Sequence, residues 1–399
     1  CVVMRKPHRA PRRVGGPPPA RVRSRARAMF RITTQVQPIL LKGHERSITQ
    51  CKFNPDGDLL YTTAKDSNPT VWNGQTGQRL GTFVGHKGAV WDLDMTHDSQ
   101  FVVTGGGDGV AILWNGLNGE QLASYTHRGA VRSVRFSQDS RTFITAQDAF
   151  TSRELANISI FGFDPEDPTS SDGLPRSEIV MQDLVKATCV DFTLLDRHIV
   201  ASLDADRGDS KGALALYDPE TGQEVQRAKI HEDRINRFTY NAEKTMFITA
   251  SRDRTAKIID PKTLEVVKTY TTDRPVNAAV ISPLKYHVLL GGGQDAMSVT
   301  VTSSSQGKFE TRFFHTIYEQ EFGRIGGHFG PINALAIHPT GRIFASGAED
   351  GYIRLHHLDE AYLNSSDHIP PQAFQPEGQA EEGAAAAAAS GDADGGDEA

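Results

Sequence analysis

The stretch Lys42–Asp66, KGHERSITQCKFNPDGDLLYTTAKD, sets a Gly-His pair ahead of two apolar segments and places an Asp 22 residues after the His. A His, an Asp and the nearby Thr62 and Thr63 are ingredients of a hydrolase and equally of a structural clasp. Repetition separates the two, because a catalytic group is needed once and a clasp in every repeating unit. His86 of Gly85-His86 is followed 22 residues later by Asp108, His231 by Asp253, and His328 of Gly327-His328 by Asp350; His127 and Asp148 keep the pattern with one residue fewer. Trp72 and Trp114 each lie six residues beyond their Asp. Between the ends of the frame the chain reads strand, turn, strand, as in AVWDLDM, THDSQ and FVVTGGGD.

Units of about 40–45 residues with four short strands and this punctuation are the mark of WD40 β-propellers, and the chain resembles that family. The intervals are 42 residues from His44 to His86 and 41 from His86 to His127. Counting starts at His44, His86, His127, near Leu184, His231, Asp273 and His328 gives an all-β, seven-bladed propeller. The resemblance implies one buried hydrogen-bonded chain per complete blade: His44, Thr62, Asp66 and Trp72 in the first, His86, Thr104, Asp108 and Trp114 in the second. An imidazole can donate to a carboxylate with one nitrogen and accept with the other, while an indole N–H only donates. His231 with Asp253 and His328 with Asp350 are shorter versions, since Ile259 and His356 stand where the Trp would be.

Within the ring, blade one takes ITQCKFN, LLYTTAK, PTVWN and RLGTFV as strands, with PDGD and GQTG as turns. Blade three departs after Asp148, its third strand being NISIFGF and its fourth EIVMQ after the turn-rich DPEDPTSSDGLP. Blade four has ATCVDFT, HIVASLD, ALALYD and EVQRAKI without a clasp His. Blade six is expected to use VNAAVIS, HVLLGGG and SVTVTS, with GKFETRFFHTIYEQEFGRIGG as an extended or loop-flanked outer strand. Blade seven has INALAIH, IFASGAE and YIRLHHL but no fourth strand, so PILL, residues 38–41, is expected to complete it and close the ring.

The propeller is therefore expected over residues 38–363, with disordered tails either side. Of the net charge of −6, residues 1–37 contribute +10 and residues 364–399 contribute −8, which leaves −8 for the ring. A mildly acidic ring argues against intrinsic, sequence-specific nucleic-acid binding, which normally rests on a basic face. The Arg-rich, acid-free head fits upstream sequence ahead of a start at Met29, an RNA-touching or targeting tail, or an inert extension. The tail GQAEEGAAAAAASGDADGGDEA lacks the apolar groups needed to offset ordering entropy. No apolar run approaches the ~18–20 residues of a membrane helix. Cys1, Cys51 and Cys189 form no CxxC pair, which suits a reducing, cytoplasmic setting.

Enzymatic signatures are missing from the sequence. Gly291–Gly293 is followed by QDA rather than a phosphate-loop Gly-Lys. His338, His356 and His357 lack further ligands at metal spacing, and no Gly-x-Ser-x-Gly elbow occurs. No cofactor or catalytic residue is expected.

Several runs resemble one WD40 family more closely, the i subunit of eukaryotic translation initiation factor 3: PILLKGHERSITQ, GDLLYTTAKD, GQRLGTFVGHKGAVW, RPVNAAVISPLKYHVLLGGGQDAMSVTVTS, GKFETRFFH and EFGRIGGHFGPINALAIHPTGRIFASGAEDGYIRLHH. The resemblance spans roughly residues 38–360 and weakens over blades three and four. It implies a non-catalytic scaffold within a multisubunit factor that acts on the small ribosomal subunit, with the b subunit, through a C-terminal helix, and the g subunit as direct partners. It also implies contacts to that helix on blades five and six: Glu243 and Asp260 as acids, Ile258 as an apolar contact and Gln294 beside them. In a four-stranded blade the first-to-second and third-to-fourth turns share one face, which puts Glu243 and Asp260 together. A signalling scaffold of the kinase-receptor-associated type shares the architecture and is the alternative function.

Overall fold

The computed structural model describes residues 37–149, 155–169, 173–181, 185–205, 209–293 and 309–365. These form seven four-stranded sheets, each antiparallel, arranged as the blades of a propeller. Six blades take their strands in chain order, while the seventh pairs Ile39–Leu41 with Ile353–His357. The expected ring closure is thus present, and Leu41 is buried where first and last blades meet.

Burial within a blade follows strand position. The second strand of blade two, Phe101–Gly106, is buried at every residue, whereas the fourth strand of blade one, Arg79–Thr82, is exposed or half-buried throughout. An inner strand covered on both faces by neighbouring blades reads as a continuous apolar run; an outer edge meets water and reads as mixed. The cores accordingly lie between blades, as where Tyr61, Val71 and Phe83 of blade one pack on Leu93, Val102 and Trp114 of blade two.

Every first strand carries an irregularity at the same place, so that Thr49, Trp91, Arg132, Thr188, Asn236, Asn277 and Asn333 fall between paired residues. Such a bulge re-aims one side chain out of the ladder. In five blades that side chain donates to a backbone carbonyl of the next blade: Thr49 to Val90, Thr188 to Ile235, Asn236 to Val276, Asn277 to Ile332 and Asn333 to Ile48, at 2.6–3.3 Å. Trp91 and Arg132 break this belt and stack on each other instead, 4.3 Å apart. Asp92 supplies the link there: it is wholly buried and accepts from Ser133 Oγ, Val134 N and Arg135 Nη1 of blade three, Arg237 Nη1 of blade five and Gln50 Nε2 of blade one. Although burial pushes its carboxyl up, Arg135 and Arg237 outweigh that and hold it below the usual range.

The expectation for blade six needs correction. In blade six the third strand is Thr311–His315 and the fourth Glu321–Ile325. SVTVTS, expected as the third strand, lies outside the described residues, and the third strand falls within the segment expected to form the outer edge. TRFFH takes the place because all five of its residues are buried, with Phe313 filling the contact to blade seven. After blade seven comes a short helix, Glu360–Asn364, capped by Asp359, whose side chain accepts from Tyr362 N. Tyr362 is buried and hydrogen-bonds His287 Nδ1 at 2.8 Å. The basic head and acidic tail otherwise lie outside the described residues, as does Gln294.

Candidate functional site

The repeated His and Asp come together in four blades. His86 Nδ1 donates to Asp108 at 3.1 Å, Trp114 Nε1 donates to Thr104 Oγ1 at 2.8 Å, and His86 Nε2 meets the same hydroxyl at 2.7 Å. Because the indole can only donate, the hydroxyl proton passes to His86 Nε2 and the chain runs Trp114 to Thr104 to His86 to Asp108. Blade one repeats it with Trp72, Thr62, His44 and Asp66 at 2.8 Å per step. The Asp also accepts the backbone N–H after the His, from Glu45 in blade one and Lys87 in blade two. Burial pushes the Asp66 carboxyl up, but the His44 hydrogen bond and these backbone donors outweigh it and leave the group low. Burial holds the His86 imidazole low, against the pull of Asp108.

Blades five and seven complete the chain with hydroxyls that the spacing did not single out. His231 Nε2 meets Thr249 Oγ1 at 2.7 Å and its Nδ1 meets Asp253 at 2.8 Å. His328 Nε2 meets Ser346 Oγ at 2.8 Å, and Ser346 reaches His356 Nε2 at 3.3 Å, so His356 substitutes for the Trp. Arg354 Nη1 lies 2.6 Å from His328 Nδ1 and 3.3 Å from Asp350. Burial pushes His356 down to about 3, so its imidazole is neutral. Thr249 and Ser346 stand 18 residues after their His, as Thr62 and Thr104 do, and that offset was the available signal.

Blade three corrects the expected pattern. His127 Nε2 keeps its hydroxyl, Thr145 at 2.8 Å, but Nδ1 turns to Tyr125 O at 2.9 Å. Asp148 instead takes Arg132 Nε at 2.5 Å. With one residue fewer in the turn, the carboxylate falls to the bulge arginine rather than to the imidazole.

The opposite face carries the candidate docking site. Glu243 is exposed in the turn between the first two strands of blade five, and Asp260 is half-buried between the last two, where it accepts Lys262 N at 2.7 Å. Both line the mouth of an axial cavity of about 900 Å³. On the turns of blades five and six that open on the same face, Met246, Leu284, Tyr286 and Ile317 are 39–61 % exposed. Ile258 is not available to a partner. It is 2 % exposed and packs among Val276, Val288 and Leu290 of blade six, because a third strand between two blades is covered on both sides.

Among the described residues no group of three His, Cys, Asp or Glu is placed to hold a metal ion, and no helix is long and apolar enough to cross a membrane. Cys51 and Cys189 are free and buried, and burial pushes the Cys51 thiol up to about 12.

Comparison with known proteins converges on one family. The family model described as EIF3I matches residues 36–366, which takes in both the closing strand and the terminal helix. Eukaryotic translation initiation factor 3 subunit I of Bombyx mori is 43 % identical over 333 residues, covering 82 % of this chain and 98 % of that protein. The protein of the same name from Drosophila pseudoobscura pseudoobscura is 44 % identical, covering 83 % and 99 %. That from Aspergillus oryzae is 41 % identical, covering 82 % and 96 %. With the fold, the ring closure and nearly the full length of these relatives in agreement, the chain belongs to the family of eukaryotic translation initiation factor 3 subunit I.

Proposed function

We propose that this propeller is a non-catalytic scaffold subunit of the initiation factor 3 complex. In this reading it binds the b and g subunits and supports assembly of the initiation complex on the small ribosomal subunit, in the cytoplasm. The observation that carries the proposal is the pairing of two acids with exposed apolar side chains on one face: Glu243 and Asp260 beside Met246, Leu284, Tyr286 and Ile317. An amphipathic helix carrying basic residues on one side and apolar ones on the other has this division of labour. The apolar half falls to these turn residues, since Ile258 is spent on the core. The absence of catalysis is supported by the clasps, whose imidazoles have both nitrogens engaged within the blade.

Calorimetric titration with a peptide of the C-terminal helix of the b subunit tests the docking face. Glu243→Lys with Asp260→Lys sets like charges opposite the partner's cations, a juxtaposition costing several kcal/mol. Affinity is expected to fall at least about tenfold, since ~1.4 kcal/mol is a factor of ten. The melting curve is expected to hold, because both residues sit on turns. Unchanged affinity in the folded double variant rules this face out.

A further inference from the structure

The first-to-second turns of the blades surround the mouth of the axial cavity, and the turn of blade four is unlike the rest. It spans residues 194–197 between the paired Thr193 and His198, against residues 54–59 between Phe53 and Leu60 in blade one. Three successive residues are left-handed: Leu194 (φ 53°), Leu195 (φ 59°) and Asp196 (φ 63°), closed by Arg197 N on Leu194 O at 3.4 Å. Turn positions with positive φ favour Gly, Asn or Asp. Leu is a poor choice there, since a side chain in the left-handed region crowds the following carbonyl. Five other blades give a single left-handed residue to this turn, at Gly57, Ser99, Ser140, Lys244 or Gly341. Packing does not account for the choice either, because Leu195 is 78 % exposed. Strain of this sort persists where a side chain must be held in one place for use.

The chemistry around Leu195 indicates what is received. Asp191 lines the same cavity and takes one donor, Arg135 Nε at 3.3 Å, from an arginine already committed to Asp92 at 2.7 Å. Asp196 accepts Gln138 N at 2.6 Å. Burial pushes both carboxyls up, with Lys244 among the cations that pull them back. Lys244 directly follows Glu243, so this corner is continuous with the acidic face of blade five. Two carboxylates lining the same cavity as an exposed Leu in left-handed backbone complement a segment that carries a cation near an apolar side chain.

We propose that the blade-four turn is an anchor subsite of the docking face, with Leu195 packing on an apolar side chain of the partner segment and Asp191 and Asp196 receiving its Lys or Arg. The subsite rests on the docking reading given under Proposed function, so both are tested on one peptide, the C-terminal helix of the b subunit, titrated into the full chain. Leu195→Asn places a residue that tolerates left-handed backbone where Leu is strained. The melting temperature is expected to stay or rise while affinity falls about tenfold, or ~1.4 kcal/mol. Leu195→Gly, which supplies the same backbone freedom, is expected to match it. Asp196→Asn keeps an acceptor for Gln138 N and removes the charge; binding is expected to weaken about threefold or more and to depend less on salt. Wild-type affinity in the folded Leu195 variants, or a lowered melting temperature in both, overturns the subsite alone. Failure of the unmodified chain to bind the peptide overturns the docking reading and the subsite with it.

Discussion

Replacing Thr104 by Val removes one hydroxyl from blade two and keeps the side chain's shape, which isolates the clasp from packing. Thr104 is 0 % exposed and Trp114 1 %, so neither water nor a neighbour can replace the lost group. Two polar atoms are stranded together: Trp114 Nε1, 2.8 Å from the hydroxyl, and His86 Nε2, 2.7 Å from it. Each buried unsatisfied group costs about 1–3 kcal/mol, so the change is expected to cost roughly 2–6 kcal/mol, a large share of a typical ~5–15 kcal/mol stability. Thr104→Ser keeps the hydroxyl and loses one methyl, worth about 1 kcal/mol. Equilibrium unfolding in urea, followed by tryptophan fluorescence, reads the difference directly, because Trp72, Trp91 and Trp114 all belong to blades one and two. Equal lowering of the midpoint by Val and Ser would show that the hydroxyl contributes nothing and would refute the clasp.

Other outcomes follow from the same contacts. Asp92→Asn leaves Arg135 and Arg237 without their shared buried anion, and breaking such a pair costs about 3–5 kcal/mol; a denaturation midpoint within error of wild type would remove Asp92 as the axial tie. His356 has a folded-state pKa depressed to about 3, so its contribution to stability is full above the ordinary histidine value near 6.5 and is lost as pH falls toward about 3. Stability measured from pH 7 to 3 should therefore fall less steeply in His356→Phe than in wild type, and parallel curves would contradict the assignment. Ending the chain at Ser365 should leave the melt unchanged, whereas ending it at Leu358 removes the Tyr362 to His287 contact and should lower it; equal melts would show that the helix adds nothing.

The clasp spacing and the missing fourth strand of blade seven were legible in the sequence because both belong to the repeat. A 22-residue separation of His and Asp is fixed by the length of two paired strands and one turn, whatever else the blade contains. The misreadings fall where one blade meets another. SVTVTS alternates as a strand should, yet TRFFH holds the third position because Phe313 fills the space against blade seven. Ile258, an apolar contact only by resemblance, is covered by the neighbouring blade. Asp148 fits the pattern by position and is taken by Arg132, a residue whose re-aiming depends on the bulge. The Asp92 cluster joins blades one, two, three and five across the axis, and no local period connects those residues.

The most direct test of the scaffold account is mass spectrometry of the proteins retained by a tagged copy of the chain, run beside the Glu243→Lys, Asp260→Lys double variant. The account predicts that the unmodified chain brings down the other initiation factor 3 subunits and proteins of the small ribosomal subunit, while the double variant, with an unchanged melting curve, loses the b subunit. Retention of none of these initiation factor subunits by the tagged wild-type chain contradicts it.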